Sequence, residues 1–293
     1  MSGIGSPSSY IFAAACPDQP GIVAAVSGFL AERRLNILDA DQYNDHLNDR
    51  FFIRVHFTEL GDSYDVARLR AELTPLAARF DMSWSLHDTL ERPRLLLLVS
   101  KLDHCLHDLL YRHRNSELHA DIPMVVSNHK DCYQLAAWYG IPYRHLPVTP
   151  ETKGQQERKL REIIDEERID FVVLARYMQV LSDAFCREYP ERVINIHHSF
   201  LPSFKGAKPY HQAYERGVKL IGATAHFATS DLDEGPIIEQ DVVRVDHSLS
   251  PDQLVAAGRD VERRVLSRAV AHVVEHRVLL NGDHRTVVFA RGG

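Results

Sequence analysis

The chain has 293 residues, of which 45% are hydrophobic and 25% are charged, and its formal net charge at pH 7 is −6. This length and composition are typical of a globular protein with two compact domains. The negative charge argues against a broad nucleic-acid surface, which needs a basic face, and no apolar run is long enough to predict a membrane-spanning helix.

The first part of the chain predicts one small domain. Residues 1–9 are rich in glycine, serine and proline and lack the apolar stretch of a signal peptide, so we expect a flexible tail. Residues 10–90 then show strand and helix patterns in the order βαββαβ, which is the ferredoxin-like arrangement. The predicted elements are strands at 10–15, 36–43, 50–57 and 82–86, and helices from residue 22 and at 64–80.

Residues 91–93 are predicted to be a linker, and residues 94–293 a second domain with a doubly wound, mostly parallel sheet. The continuous apolar run at 95–99 favours a strand that is buried on both faces. Strand and helix patterns alternate after it, as in α/β proteins. The predicted elements are strands at 94–100, 122–127, 143–146, 171–175 and 193–196, helices at 132–139, 157–167 and 251–275, and a hairpin of 278–280 with 286–289.

The four cysteines are scattered along the chain, without a C-x-x-C pair. This spacing predicts neither a disulfide framework nor a zinc site, and it fits a cytoplasmic protein in a reducing compartment. The His and Asp residues show no H-E-x-x-H spacing either, so we expect no metal. The cysteines are Cys16, Cys105, Cys132 and Cys186.

Two short segments contain side chains suited to acyl-type chemistry. Asn195 and His197 lie two residues apart at a predicted strand end, so their side chains should point to the same side. An amide can bind an oxyanion and an imidazole can transfer a proton near neutral pH. Asp233, in a turn-like segment before Gly235, could orient the imidazole, but it could also bond its own backbone as a turn residue. Asp231 is a second candidate for that role, and N-x-H alone is a common tripeptide at strand ends.

The two segments together resemble the folate-dependent formyltransferase family. The family has an N-I-H-P-S-L-L-P segment and a later H-F-x-T-x-x-L-D-x-G-P segment, and this chain has NIHHSFLP at 195–202 and HFATSDLDEGP at 226–236. The resemblance selects Asn195, His197 and Asp233 as catalytic residues and implies a supporting role for His226. It also implies that residues 176–181 and the loop from Thr229 hold the folate ring. The stretch reads Arg176-Tyr177-Met178-Gln179-Val180-Leu181, and by pattern alone core packing is the better interpretation of Met178, Val180 and Leu181.

Within this family the chain is most similar to the hydrolases, which convert 10-formyltetrahydrofolate and water to formate and tetrahydrofolate without a cofactor, in support of purine biosynthesis. The loop after residue 99, SKLDHC, lacks the glycines that let a backbone approach a phosphate closely. His198 replaces the proline that follows the catalytic histidine in the transferases. Both departures favour water as the acceptor. A formyltransferase acting on an amine, and an amino-acid sensor with an inactive second domain, remain alternatives.

The segment CPDQPGIVAAVSGFLAERRLNI, which begins at Cys16, resembles an ACT domain. The resemblance implies a small amino-acid effector, for which glycine and methionine are candidates, and a homo-oligomer formed through this domain. A purely structural or dimerising domain is the alternative interpretation.

Overall fold

A computed structural model describes residues 8–60, 64–201, 209–282 and 284–290. The predicted tail therefore lies mostly outside the described residues. The chain divides into two compact units between Arg92 and Pro93, inside the predicted linker. Among the described residues, no helix is both long and apolar enough to cross a membrane.

The first unit contains the βαββαβ order that the pattern predicts. Its four-stranded sheet is antiparallel, in the order β2-β3-β1-β4. Apolar side chains of the sheet and both helices form its core, with Phe12, Phe57, Leu69 and Leu86 almost fully buried. The elements are β1 (Ser9–Pro17), α1 (Ile22–Glu32), β2 (Leu35–Asp45), β3 (Arg50–Glu59), α2 (Val66–Arg79) and β4 (Ser83–Asp88).

The C-terminal hairpin departs from the predicted boundary, which placed all of 94–293 in the second domain. His276–Asn281 and the described part of Val287–Gly293 belong to the first unit. Phe289 packs with Ala15 and Phe52, because a short hairpin cannot bury its apolar side chains by itself. The hairpin strands are β12 (Val278–Leu280) and β13 (Thr286–Val288).

The second unit contains a seven-stranded sheet in the order β11-β10-β9-β8-β5-β6-β7. Strands β5 to β9 pair in parallel, whereas β10 is antiparallel to both β9 and β11. Strand β5 lies inside the sheet between β8 and β6 and is fully buried along its apolar run, as predicted. The elements are β5 (Arg94–Val99), α3 (His104–Arg114), β6 (Asp121–Ser127), α4 (Tyr133–Trp138), β7 (Tyr143–His145), α5 (Lys153–Glu166), β8 (Phe171–Leu174), α6 (Asp183–Glu188), β9 (Val193–His197), α7 (Pro209–Glu215), β10 (Leu220–Phe227), β11 (Ile237–Arg244) and α8 (Pro251–Val274).

Five of these elements are absent from the sequence prediction: α3, α6, α7, β10 and β11. The two strands matter most, because they add an antiparallel edge next to β9, where the predicted catalytic residues lie. The long helix α8 begins as predicted, and a capping box between Ser250 and Gln253 fixes its first turn.

Candidate active site

Asn195 and His197 lie at the carboxyl end of β9, where ligands bind in open α/β sheets. The pairing with β10 places His226 directly opposite Asn195. Asn195 Nδ2 is 3.2 Å from His226 Nε2, and His226 Nδ1 is 2.9 Å from the carbonyl oxygen of Phe227. A His226 tautomer protonated at Nδ1 satisfies both contacts, since Nε2 then accepts from the amide of Asn195. Strand register thus fixes the orientation of that amide.

The loop between β10 and β11 positions Asp233. Phe227 N donates to Pro236 O at 2.9 Å and closes the loop. A Cβ at Gly235 would lie only 1.7 Å from Phe227 O, so glycine is required at this close approach. Asp233 itself has φ 58°, a left-handed conformation that few non-glycine residues adopt and that often marks functional sites.

The carboxylate of Asp233 lies between two imidazoles. Its Oδ2 is 3.1 Å from His197 Nδ1, and its Oδ1 is 3.7 Å from His226 Nε2. Burial acts to raise the pKa of Asp233, but the hydrogen bond with His197 acts to lower it, and this pKa lies well below its usual range. Asp233 is therefore a carboxylate at neutral pH and orients the ring of His197 through Nδ1.

The other ring nitrogen of His197, Nε2, is buried and has no hydrogen-bond partner among the described residues. The ring of His198 stacks on that of His197 with centroids 5.0 Å apart. Burial, with the charges of Arg176 and His197, lowers the pKa of His198 to about 4. His198 is neutral at physiological pH, so it does not add positive charge beside the reacting imidazole.

One cavity of about 560 Å³ contains all of these groups. Every residue that the sequence predicted for catalysis or for binding the folate ring lines it, although their roles stay predictions. These residues are Asn195, His197, Asp233, Arg176, Tyr177, Met178, Gln179, Val180, Leu181, His226 and Thr229.

The stretch from Arg176 to Leu181 forms one wall of the cavity, and its residues differ in exposure. Met178 and Val180 are each 57% exposed, so core packing does not account for them. They offer apolar surface to a flat ring. Tyr177 is buried in the core below, and its hydroxyl accepts a hydrogen bond from Gln156 Nε2 at 2.7 Å.

Several polar lining residues were not predicted from the sequence. His104, His198, Tyr210 and Glu262 lie on four different elements or loops. No local spacing links them, because they meet only when α3, α7 and α8 pack together. Of these residues, only His198 can be noticed in the sequence, because it replaces the proline of the family motif.

One group of residues has the composition of a metal site. The ligand atoms of His104, Cys105 and Glu262 lie within 4.8 Å of one another. However, Arg176 Nε is 3.3 Å from Glu262 Oε2 and supplies a positive charge there. Burial also raises the pKa of the Cys105 thiol well above its ordinary value, which disfavours the thiolate that binds metals. The group fits a hydrogen-bonded ion pair better than a cation site.

Comparisons with known families match both parts of the chain. The formyl transferase family matches residues 93–270, and the ACT domain family matches residues 10–73. A formyltetrahydrofolate deformylase of Corynebacterium sp. (strain P-1) is 52% identical over 275 residues, which are 93% of this chain and 95% of the relative. A protein of the same name from Escherichia coli (strain K12) is 42% identical, over 93% of this chain and 95% of its own.

Solved structures give the same result. The formyltetrahydrofolate deformylase of Pseudomonas syringae pv. tomato has a TM-score of 0.93 at 47% identity and covers 98% of this chain and 96% of its own. A glycinamide ribonucleotide transformylase from Symbiobacterium toebii has a TM-score of 0.63 at 30% identity, over 67% of this chain and 94% of its own. The second unit thus shares its fold with a structure named as a formyltetrahydrofolate deformylase and with one named as a glycinamide ribonucleotide transformylase.

Proposed function

The chain belongs to the formyltetrahydrofolate deformylases of the formyl transferase family, and we propose that Asn195, His197 and Asp233 carry out its hydrolysis of 10-formyltetrahydrofolate. The observation that supports these roles is the geometry of His197. Its Nδ1 faces a carboxylate at 3.1 Å, while its Nε2 is buried and has no hydrogen-bond partner in the part of the chain that the structure describes. That arrangement leaves one nitrogen free to exchange a proton with a reactant.

In the first step, the oxygen of a water attacks the formyl carbon while His197 Nε2 takes a proton from that water. The carbonyl oxygen becomes an oxyanion. Asn195 Nδ2 donates one hydrogen to His226, and its second hydrogen is available for the oxyanion. Such a donor contributes on the order of 10²–10³ in rate. The carboxylate of Asp233 stabilises the imidazolium that forms.

In the second step, the bond between the formyl carbon and N10 of the folate breaks. His197 returns the proton to N10, so tetrahydrofolate leaves as a neutral amine and the formyl group leaves as formic acid, which ionises to formate. The proton that His197 takes in the first step is the one it gives in the second. Atoms and charges therefore balance without an external reductant, oxidant or acceptor, and we propose that no metal or cofactor is needed.

The experiment that tests this function supplies 10-formyltetrahydrofolate and water alone. We expect formate and tetrahydrofolate to appear in equal amounts, because the site contains a base, an oxyanion donor and a carboxylate and requires no second substrate. Formate is measured by an enzyme-coupled assay and tetrahydrofolate by its absorbance. A rate of zero until an amine is added would identify a transferase, and binding without turnover would identify a sensor.

We propose that the first unit binds a small amino acid that regulates hydrolysis. In support, the unit matches the ACT domain family, and a small cavity of about 70 Å³ is lined by Ser27, Asp41 and Gln42 with apolar neighbours. We also propose a homo-oligomer formed through this unit. Among the described strands, β2 is an edge strand that pairs only with β3, and it exposes Ile37 and Leu38, which a second copy would cover.

Removal of the first unit is expected to separate chemistry from regulation. A chain of residues 93–275 contains every candidate catalytic group and omits the C-terminal hairpin as well, so it should retain measurable hydrolysis. It should lose any response to amino acids, since an effector acts only by stabilising one state over another. Both chains are assayed against a panel of amino acids. An unchanged response in the shorter chain would place the effector site elsewhere, and no response in either would favour an assembly domain.

We further propose that the protein acts in the cytoplasm, without a nucleic-acid or membrane partner. All four cysteines are free and buried, which suits a reducing compartment. The formate released there would supply purine biosynthesis, as the resemblance implies.

A further inference from the structure

The cavity contains a second polar cluster that the steps above do not use. Arg176 Nε lies 3.3 Å from Glu262 Oε2, and their side chains are only 9% and 1% exposed. The same carboxylate is 2.8 Å from His104 Nε2 and accepts a hydrogen bond from the Tyr210 hydroxyl at 2.6 Å. All four side chains line the cavity. We call them the acceptor cluster.

Two features show that the fold is adapted to hold this cluster. Arg176 has φ 64°, a left-handed conformation that is sterically disfavoured for a residue with a Cβ. Gly258 lies one turn before Glu262 on α8, and a Cβ there would be 2.1 Å from the ring of Tyr210. The glycine leaves the space that this ring occupies. A buried ion pair is weak evidence for stability, so stability alone does not account for this pair.

The acceptor cluster reaches the reacting imidazole through His198. The ring of His198 stacks on His197 and lies 6.4 Å, between centroids, from the ring of Tyr210. The charge of Arg176 also contributes, after burial, to the low pKa of His198. Tyr210 of the cluster and His197 are thus both in ring contact with His198, and all three residues line the same cavity.

Arg176 has an unused donor. Its Nε is buried and makes no hydrogen bond among the described residues, since the approach of Glu262 lacks hydrogen-bond geometry. The Nε2 atom of His197 is likewise buried and has no hydrogen-bond partner among the described residues. A guanidinium N–H only donates, whereas Nε2 of a neutral imidazole held at Nδ1 by Asp233 accepts. Both residues line the cavity, so one buried unpaired donor and one buried unpaired acceptor belong to the same site.

We propose that the acceptor cluster selects water over an amine as the group that receives the formyl carbon. A water oxygen has two lone pairs: one accepts from Arg176, and the other attacks, while the water donates a proton to His197. An amine nitrogen has a single lone pair and cannot accept from Arg176 and attack at once. The cluster also occupies volume that a larger amine would need. This inference rests on the proposed role of His197.

The fold by itself does not make this choice. A structure named as a glycinamide ribonucleotide transformylase shares the fold of the second unit at a TM-score of 0.63. The selection must therefore depend on side chains in the cavity, and Arg176 is the lining cation that is both buried and paired with a buried carboxylate.

The test measures two products from one reaction. The full-length chain is incubated with 10-formyltetrahydrofolate at pH 8, with and without glycinamide as the amine, and formate and N-formylglycinamide are quantified by mass spectrometry. The wild type should form formate with only traces of N-formylglycinamide, which set the reference value of the product ratio. In Arg176→Met, formate production should fall at least tenfold and the ratio of N-formylglycinamide to formate should rise at least tenfold.

Two further variants make the result interpretable. Arg259→Met removes an exposed arginine of the cavity wall outside the cluster, and it should leave the product ratio unchanged. The double variant Arg176→Met/Glu262→Gln removes both charges, so it leaves no buried charge unpaired if the single variant does not fold. It should show the same rise in the ratio.

Folded variants that form only formate would overturn the proposal, because the cluster would then have a structural role. Folded variants that lose both products together would also overturn it, because the cluster would then be needed for either acceptor. A failure of the proposed function looks different. In that case the wild type forms no formate, or variants of His197 remain active.

Discussion

Replacement of His197 by asparagine is expected to lower kcat for formate release by about 10³-fold, within the range of general acid–base catalysis. The asparagine amide can still donate to Asp233, which contacts Nδ1 of the native ring at 3.1 Å. It cannot supply the basic nitrogen that His197 presents as Nε2. Because the cavity walls are unchanged, KM should remain within about threefold of the wild-type value. Steady-state formate release, with circular dichroism as a check of the fold, measures this.

His198→Asn is the matched control for this prediction. His198 is the adjacent histidine, it lines the same cavity, and its low pKa keeps it neutral. Its replacement should affect kcat far less than that of His197. If His198→Asn abolishes activity while His197→Asn stays within tenfold of the wild type, the two roles are exchanged and the assignment is wrong.

Much of the fold follows from hydrophobic pattern alone. The βαββαβ order of the first unit and strands β5 to β9 of the second can be predicted, because each of these elements has its own local pattern, whereas helices α3, α6 and α7 are missing from the prediction. Strands β10 and β11 have no such signal. Strand β10 is buried along most of its length and rich in small residues such as Gly222, Ala223 and Ala225, so neither alternation nor a bulky apolar run marks it. The C-terminal hairpin was assigned to the wrong unit for a similar reason, since chain order does not reveal which surface covers Phe289.

In the candidate site, too, residues that are neighbours in sequence can be predicted together, whereas residues that meet only through folding cannot. Asn195 and His197 are two residues apart on one strand, so a sequence pattern can place them together. The proximity of Asp233 depends on the pairing of β9 with the unpredicted β10 and on the loop that follows. Family resemblance, and not spacing, selected Asp233 over Asp231. The acceptor cluster could not be predicted, because Glu262 meets Arg176 only through the packing of α8 against the sheet.

Asp233→Asn is expected to reduce kcat by about 10⁴-fold, the loss that the same change causes in catalytic triads built on a serine and a histidine. The carboxylate accepts a hydrogen bond from His197 Nδ1, which leaves Nε2 free as a base. An amide that donates from the same place would favour the opposite tautomer, with the proton on Nε2. Nε2 would then face the water with its proton already in place, so it could not act as the base.

The backbone should tolerate this variant, because asparagine adopts the left-handed conformation of residue 233 nearly as readily as aspartate. The pKa of Asp233 lies well below its usual range, so the wild-type group is ionised throughout pH 5–9, and raising the pH cannot restore what the amide removes. Asp231→Asn is the matched control, because Asp231 lines the same cavity but is exposed. The activity of this variant should remain within about twofold of the wild-type value. Formate release by the three proteins from pH 5 to 9, with their thermal unfolding midpoints, measures this. An active Asp233→Asn beside an inactive Asp231→Asn would transfer the role to Asp231 and leave His197 without the partner that orients it.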